Sequence, residues 1–149
     1  MAEVFRVAAT PRREKGGALV VHCCSSAYQD YFEEFLHTSL GFPSYALLAL
    51  PGGAQTLTLT DYLPKLPWAG WRWLKFLVDA DRPARLVLIG HYDCRWYQSL
   101  RFWERSNQRE QQIRDLRRAG AAAAERFPDV RVSLYYARAE AGNVIFESV

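Results

Sequence analysis

The feature that most restricts the fold of this chain is a repeated alternation of a short apolar run, a turn, and a stretch with helical spacing. The runs are Ala18–Cys23 (ALVVHC), Tyr45–Leu50 (YALLAL) and Arg85–His91 (RLVLIGH). Runs this short and this apolar suit strands buried on both faces, as parallel sheets require. After the first, Tyr28, Tyr31, Phe32, Phe35, Leu36 and Leu40 fall at helical spacing over residues 27–40, and Gly41 occupies the position just past the helix end. After the second, Pro51-Gly52-Gly53 marks a sharp turn and residues 54–67 read as a loop, with some extended structure at Leu57 and Leu59. A helix follows over residues 68–80, with Trp71, Leu74, Leu77 and Val78 on one face and Pro83 beyond its end.

After the third run, an aromatic segment over residues 96–103 leads into a long helix. Asn107 and Glu110 stand at capping-box spacing at its start, and Ile113, Leu116, Gly120, Ala123 and Phe127 recur every three or four residues. Residues 130–136 alternate apolar and polar, which predicts a strand wet on one side, and residues 144–146 predict an edge strand. This order predicts a single α/β domain: an open, mostly parallel β-sheet with helices on both faces and the third run near its centre. Residues 1–17 read as an N-terminal arm and residues 18–149 as the domain. A length of 149 residues with 50% hydrophobic content suffices for one continuous core.

The charge pattern narrows the partners. A net charge of +3 is mildly basic, and the acidic residues are interspersed, so no polybasic block argues for nucleic acid or anionic lipid. No apolar run approaches the roughly 20 residues needed to span a bilayer, and the N-terminus lacks the apolar core of a signal peptide, so a cytoplasmic protein is expected. The three cysteines, Cys23, Cys24 and Cys94, are an odd number and two are vicinal. In a reducing compartment they read as ligands, reactive thiols or buried apolar groups.

In an open parallel sheet, ligands bind outside the carboxyl ends of the strands. Cys23-Cys24, Pro51-Gly52-Gly53 and His91-Tyr92-Asp93-Cys94 all fall at such ends. Thiolate and imidazole are donors that zinc accepts without a d-electron preference for geometry, so the cysteine pair and His-x-x-Cys together suggest a Cys-His-Cys centre. On an extended strand Cys23 points away from the face of His22 and Cys24, so either member of the vicinal pair is open as the first-strand ligand. Asp93 is read as solvent-facing, with a role at a fourth metal position as the alternative. His37, four residues after Glu33, reads as half of a surface pair. No phosphate-binding, dinucleotide or nucleophile-elbow motif is present.

A first-strand cysteine paired with Gly-His-x-x-Cys after a later strand resembles the β-carbonic anhydrase family, over roughly residues 18–136. The family's second motif, His-x-x-Cys, is intact as His91-Tyr92-Asp93-Cys94. Its first, Cys-x-Asp-x-Arg, is matched only at the cysteine by Cys23-Cys24-Ser25-Ser26-Ala27, with Ser25 in place of the aspartate and Ala27 in place of the arginine. The resemblance implies zinc held by Cys23, His91 and Cys94, with the fourth position unassigned, a small molecule or anion such as carbon dioxide or bicarbonate at the metal, and a homodimer. In the family the aspartate accepts a hydrogen bond from the metal-activated water, and the arginine holds that aspartate. Serine cannot carry charge, and two thiolates already neutralise the zinc, so hydration of carbon dioxide is expected to be weak or absent. Loss of both partners is physically coherent, because either one left alone in a buried site would be an unpaired charge. The alternatives are an active zinc lyase or hydrolase using zinc-bound water, and a non-catalytic interaction or thiol-regulatory protein on the same fold. The tryptophans Trp68, Trp71, Trp73, Trp96 and Trp103 read as core cover, with a subunit interface as the alternative.

Overall fold

The computed structural model describes residues 4–6, 8, 17–58, 65–100 and 108–149. The three apolar runs form β1 (Ala18–Cys23), β2 (Tyr45–Leu50) and β3 (Arg85–His91), and the later segments form β4 (Arg131–Glu140) and β5 (Asn143–Ser148). One five-stranded sheet results, in the order β2-β1-β3-β4-β5, parallel except for the antiparallel β4–β5 hairpin. The third run is thus the central strand, and the alternating segment near the C-terminus lies toward the edge. Most of the proposed arm of residues 1–17, together with Leu59, Asn107 and Trp103, lies outside the described residues.

Helices cover both faces. Leu19 and Val21 of β1 and Leu86 and Leu88 of β3 pack against α2 (Lys65–Asp81) and α4 (Gln108–Arg126), through Leu74, Leu116, Ala119 and Ala123. Val20, Val87 and Ile89 point the other way, onto Phe32 and Leu36 of the helical segment that opens with α1 (Gln29–Glu34). Each central strand therefore supplies both cores by simple alternation, which explains the unbroken apolar stretches Ala18–Val21 and Leu86–Ile89. No described helix is long and apolar enough to cross a membrane.

Two segments differ from expectation. The helix predicted over residues 27–40 starts at Gln29 and widens into a π-helical turn at Phe35–Ser39. The wider turn lets two residues adjacent in sequence both meet the sheet: Leu36 is fully buried, and Phe35 stacks on Phe146 with ring centroids 4.1 Å apart. The region read as a loop with extended structure at Leu57 is instead a buried 3₁₀ helix, Gly53–Thr58. Its threonines bond to nearby backbone, Thr56 to the Pro51 carbonyl and Thr58 to that of Gln55, while Leu57 enters the α2/α4 core. So short a helix leaves no periodic signature in the sequence.

Candidate metal centre

The connections run from β1 through α1 to β2 on one side and from β2 through α2 to β3 on the other, so the topological switch point lies between β1 and β3. The β1–β2 ladder continues to Cys23↔Leu50 and the β3–β4 ladder to His91↔Ala137, but β1 and β3 stay paired only as far as Val21↔Leu88. Beyond that point the two central strands part. Gly53, at φ +60°, fills the gap so closely that a Cβ there would lie 2.9 Å from the Cys23 nitrogen and 3.1 Å from both the His22 carbonyl carbon and the Ile89 oxygen.

Cys23 and His91 are the last residues of β1 and β3, and Cys94 follows after a turn in which Asp93 takes φ +57°. The ligating atoms of the three lie within 4.8 Å of one another, and all three residues are buried. By strand alternation Cys23 belongs with Leu19 and Val21 on one face of the sheet, and His91 with Val87 and Ile89 on the other. They meet because both stand at the rim, where the two faces join. Cys24 is exposed and outside the group, so of the vicinal pair the fold delivers Cys23.

The donor set fits zinc. Zinc–sulfur bonds of about 2.3 Å at the tetrahedral angle place two sulfurs about 3.8 Å apart, and the Cys23 and Cys94 sulfurs are 3.9 Å apart. His91 Nδ1 lies 2.8 Å from the Tyr92 carbonyl oxygen, which can only accept, so Nδ1 carries the proton and Nε2 the lone pair. That Nε2 is buried and has no hydrogen-bond partner among the described residues. A buried nitrogen lone pair without a donor is costly unless an electrophile takes it up. The imidazole is held in place by Tyr28, at 4.3 Å between ring centroids, and by Phe32, at 6.0 Å.

The sulfurs are prepared for the same role. The hydrogen bond from the Cys94 thiol holds the Cys23 thiol well below its ordinary range, against opposing desolvation and with help from the Gly52 backbone N–H. Cys94 is pushed up in turn by its bond to Cys23 and by burial, although the N–H groups of Tyr97 and Trp96 approach its sulfur. Ionisation of one sulfur opposes ionisation of the other. A divalent cation removes that conflict and lets both ionise.

The remaining sequence-marked residues fall outside the donor group. Ser25 is half-buried beside Cys23 in a cleft, and Ala27 is exposed. Asp93 is exposed and accepts a hydrogen bond from Gln98, as the solvent-facing reading expects. His22, buried behind Cys23, donates from Nδ1 to the Cys23 carbonyl and packs on Phe32; burial lowers its pKa. His37 lies 3.7 Å from Glu33 on the surface, the expected pair.

Sequence reasoning missed the polar layer behind the centre. Tyr97, on α3 (Arg95–Ser99), packs against Cys23 and Cys94 and donates to Asp115 at 2.5 Å, where Gln111 also donates to both carboxylate oxygens. Beside it Tyr136 donates to Gln112 Oε1 at 2.6 Å. A signal existed: Gln112 and Asp115 lie four and one residues before Leu116 on the buried stripe of α4, where apolar residues are expected. Tyr97→Phe is expected to destabilise the protein by about 1–3 kcal/mol, the cost of removing a donor from a buried carboxylate. Urea unfolding of the two proteins checks this, with an unchanged midpoint counting against it.

No family model matches the chain, and no curated protein matches it. Among solved structures it is similar to the β-carbonic anhydrase CafA of the fungal pathogen Aspergillus fumigatus, with a TM-score of 0.53 and 14% sequence identity. The match covers 90% of this chain and 76% of that one. At this identity the likeness is one of fold.

Proposed function

We propose that this chain is a zinc-binding protein on a β-carbonic anhydrase-like fold, with Cys23, His91 and Cys94 as its protein ligands and little or no hydration of carbon dioxide. The observation that carries the reading is the buried donor group within 4.8 Å, with His91 Nε2 unpartnered. Zinc, when bound, supplies a Lewis acid with a position left for a small molecule. The chain's own contribution is to hold two buried sulfurs and one buried imidazole in register and to fix the histidine tautomer through the Tyr92 carbonyl.

Weak turnover follows from Ser25 and Ala27. A hydroxyl accepts a proton poorly compared with a carboxylate, and no cation stands at residue 27 to support one. The cytoplasmic setting and the homodimer belong to the same reading. Metal analysis of the protein purified under reducing conditions should give about one zinc per chain, with Cys94→Ala below a tenth of that. Zinc-free parent protein would sink the reading. Stopped-flow hydration of carbon dioxide by the zinc-loaded parent should run at or barely above the buffer rate; strong catalysis would instead favour the active lyase.

A further inference from the structure

We propose that Cys23 and Cys94 form a peroxide-responsive thiol pair: a hydroperoxide entering by the cleft beside the centre oxidises Cys23, Cys94 closes a disulfide onto it, and the donor group gives up its metal. Only the last of these steps rests on the metal reading, since the first two need nothing beyond the sulfurs and the oxidant. Cys23, Cys24 and Cys94 are all free thiols.

Access selects the sulfur that reacts first. Cys23 forms part of the wall of a cleft of about 420 Å³, beside Cys24, Ser25, Ser26 and Trp96, whereas Cys94 is buried and lies outside that wall. A hydroperoxide is little larger than water, for which roughly 10–15 Å³ of cavity is enough. Its hydroxyl group both donates and accepts, as do the serine hydroxyls of the wall, so it enters without a charged partner.

Geometry selects the second sulfur. The Cys23 and Cys94 sulfurs are 3.9 Å apart, near van der Waals contact, and Tyr97 and Trp96 pack against the pair. Cys24 is closer in sequence and a poorer partner. It is exposed and outside the donor group, and a bridge between adjacent residues closes a small, strained ring.

The chemistry balances. In the first step the Cys23 thiolate attacks one peroxide oxygen: the S–O bond forms, the O–O bond breaks, and the departing oxygen takes a proton from solvent, leaving as water when the oxidant is hydrogen peroxide. In the second, the Cys94 sulfur attacks the Cys23 sulfur: the S–S bond forms, the S–O bond breaks, and the oxygen leaves as water with a second solvent proton. The two sulfurs have lost two electrons and the peroxide has gained them. Disulfide sulfur is not an anionic donor, so His91 alone of the three ligands stays intact, too few to hold zinc.

Treatment of the parent, Cys24→Ser and Cys94→Ser with hydrogen peroxide tests this. Metal release is followed with a chromogenic chelator, and disulfides are mapped by mass spectrometry. Parent and Cys24→Ser should each lose about one zinc per chain as two thiols disappear into the Cys23–Cys94 bond, and a dithiol with added zinc should restore both. Cys94→Ser should form no such bond and should take up a sulfenic-acid probe at Cys23. Zinc-loaded parent that keeps its metal and thiols, or loses metal without this disulfide, overturns the switch and leaves the metal reading standing. Loss of the disulfide in Cys24→Ser overturns it too, by making Cys24 one of the bonded pair. Zinc-free parent that closes the Cys23–Cys94 bond reversibly overturns the metal reading and upholds the thiol pair.

Discussion

His91→Ala is expected to purify without zinc and to unfold about 8–16 °C below the parent. The size follows from linkage: a ligand at about a thousand times its dissociation constant stabilises the folded state by about 4 kcal/mol, and for a chain of this length each kcal/mol is worth about 2–4 °C. Three groups lose their purpose when the metal is withdrawn. The Cys23 and Cys94 sulfurs, 3.9 Å apart, would again oppose each other's ionisation, and His91 Nε2 would lie buried without a hydrogen-bond partner among the described residues. Differential scanning calorimetry with and without a chelator separates the metal from the packing of the ring on Tyr28 and Phe32. Chelation should lower the parent by most of the same interval and leave His91→Ala unmoved. A parent whose transition ignores the chelator would mean that the triad is a packed cluster of thiols and imidazole with no ion to hold.

Gly53→Ala is expected to be the most damaging single-methyl change in the described chain, costing above about 4 kcal/mol and removing bound zinc as well. Part of the cost is conformational, since an L-residue at φ +60° carries about 1–2 kcal/mol. The larger part is steric. The atoms that the new methyl would meet, at 2.9 to 3.1 Å, belong to the backbones of β1 and β3 and cannot rotate away. Relief requires the two strands to part further, and those strands carry Cys23 and His91. Gly41→Ala is the control: its φ is +68° and no atom lies within 4 Å of the added methyl, so only the conformational cost of about 1–2 kcal/mol applies. Equal unfolding midpoints for the two variants in urea would refute the wedge.

The fold was legible because its strands are nearly pure apolar runs and its connections carry clear turn residues. That the histidine and cysteines would gather at the sheet's rim was legible for the same reason, since residues at the end of such a run have only the rim to occupy. The choice of Cys23 over Cys24 was not, because alternation places them on opposite faces and only the parting of β1 from β3 decides which one meets His91. Nor was the role of Gly53 visible: the sequence marks a sharp turn there, and the structure adds a close approach to the backbones of β1 and β3. Tyr97 and Asp115 lie on separate helices, and nothing in their spacing announces a contact made through tertiary packing.

The parallel pairing of β1 with β3 has a consequence in time. Cys23 and Cys94 are 71 residues apart, and at translation rates of about 5–20 residues per second the first thiol waits roughly 4–14 s for the second to be synthesised. During that interval Cys23 and Cys24 leave the ribosome as an unprotected vicinal pair, open to oxidants and to any soft ion nearby. Assembly of the donor group is therefore a late checkpoint on the newborn chain, passed only when β3 has inserted between β1 and β4.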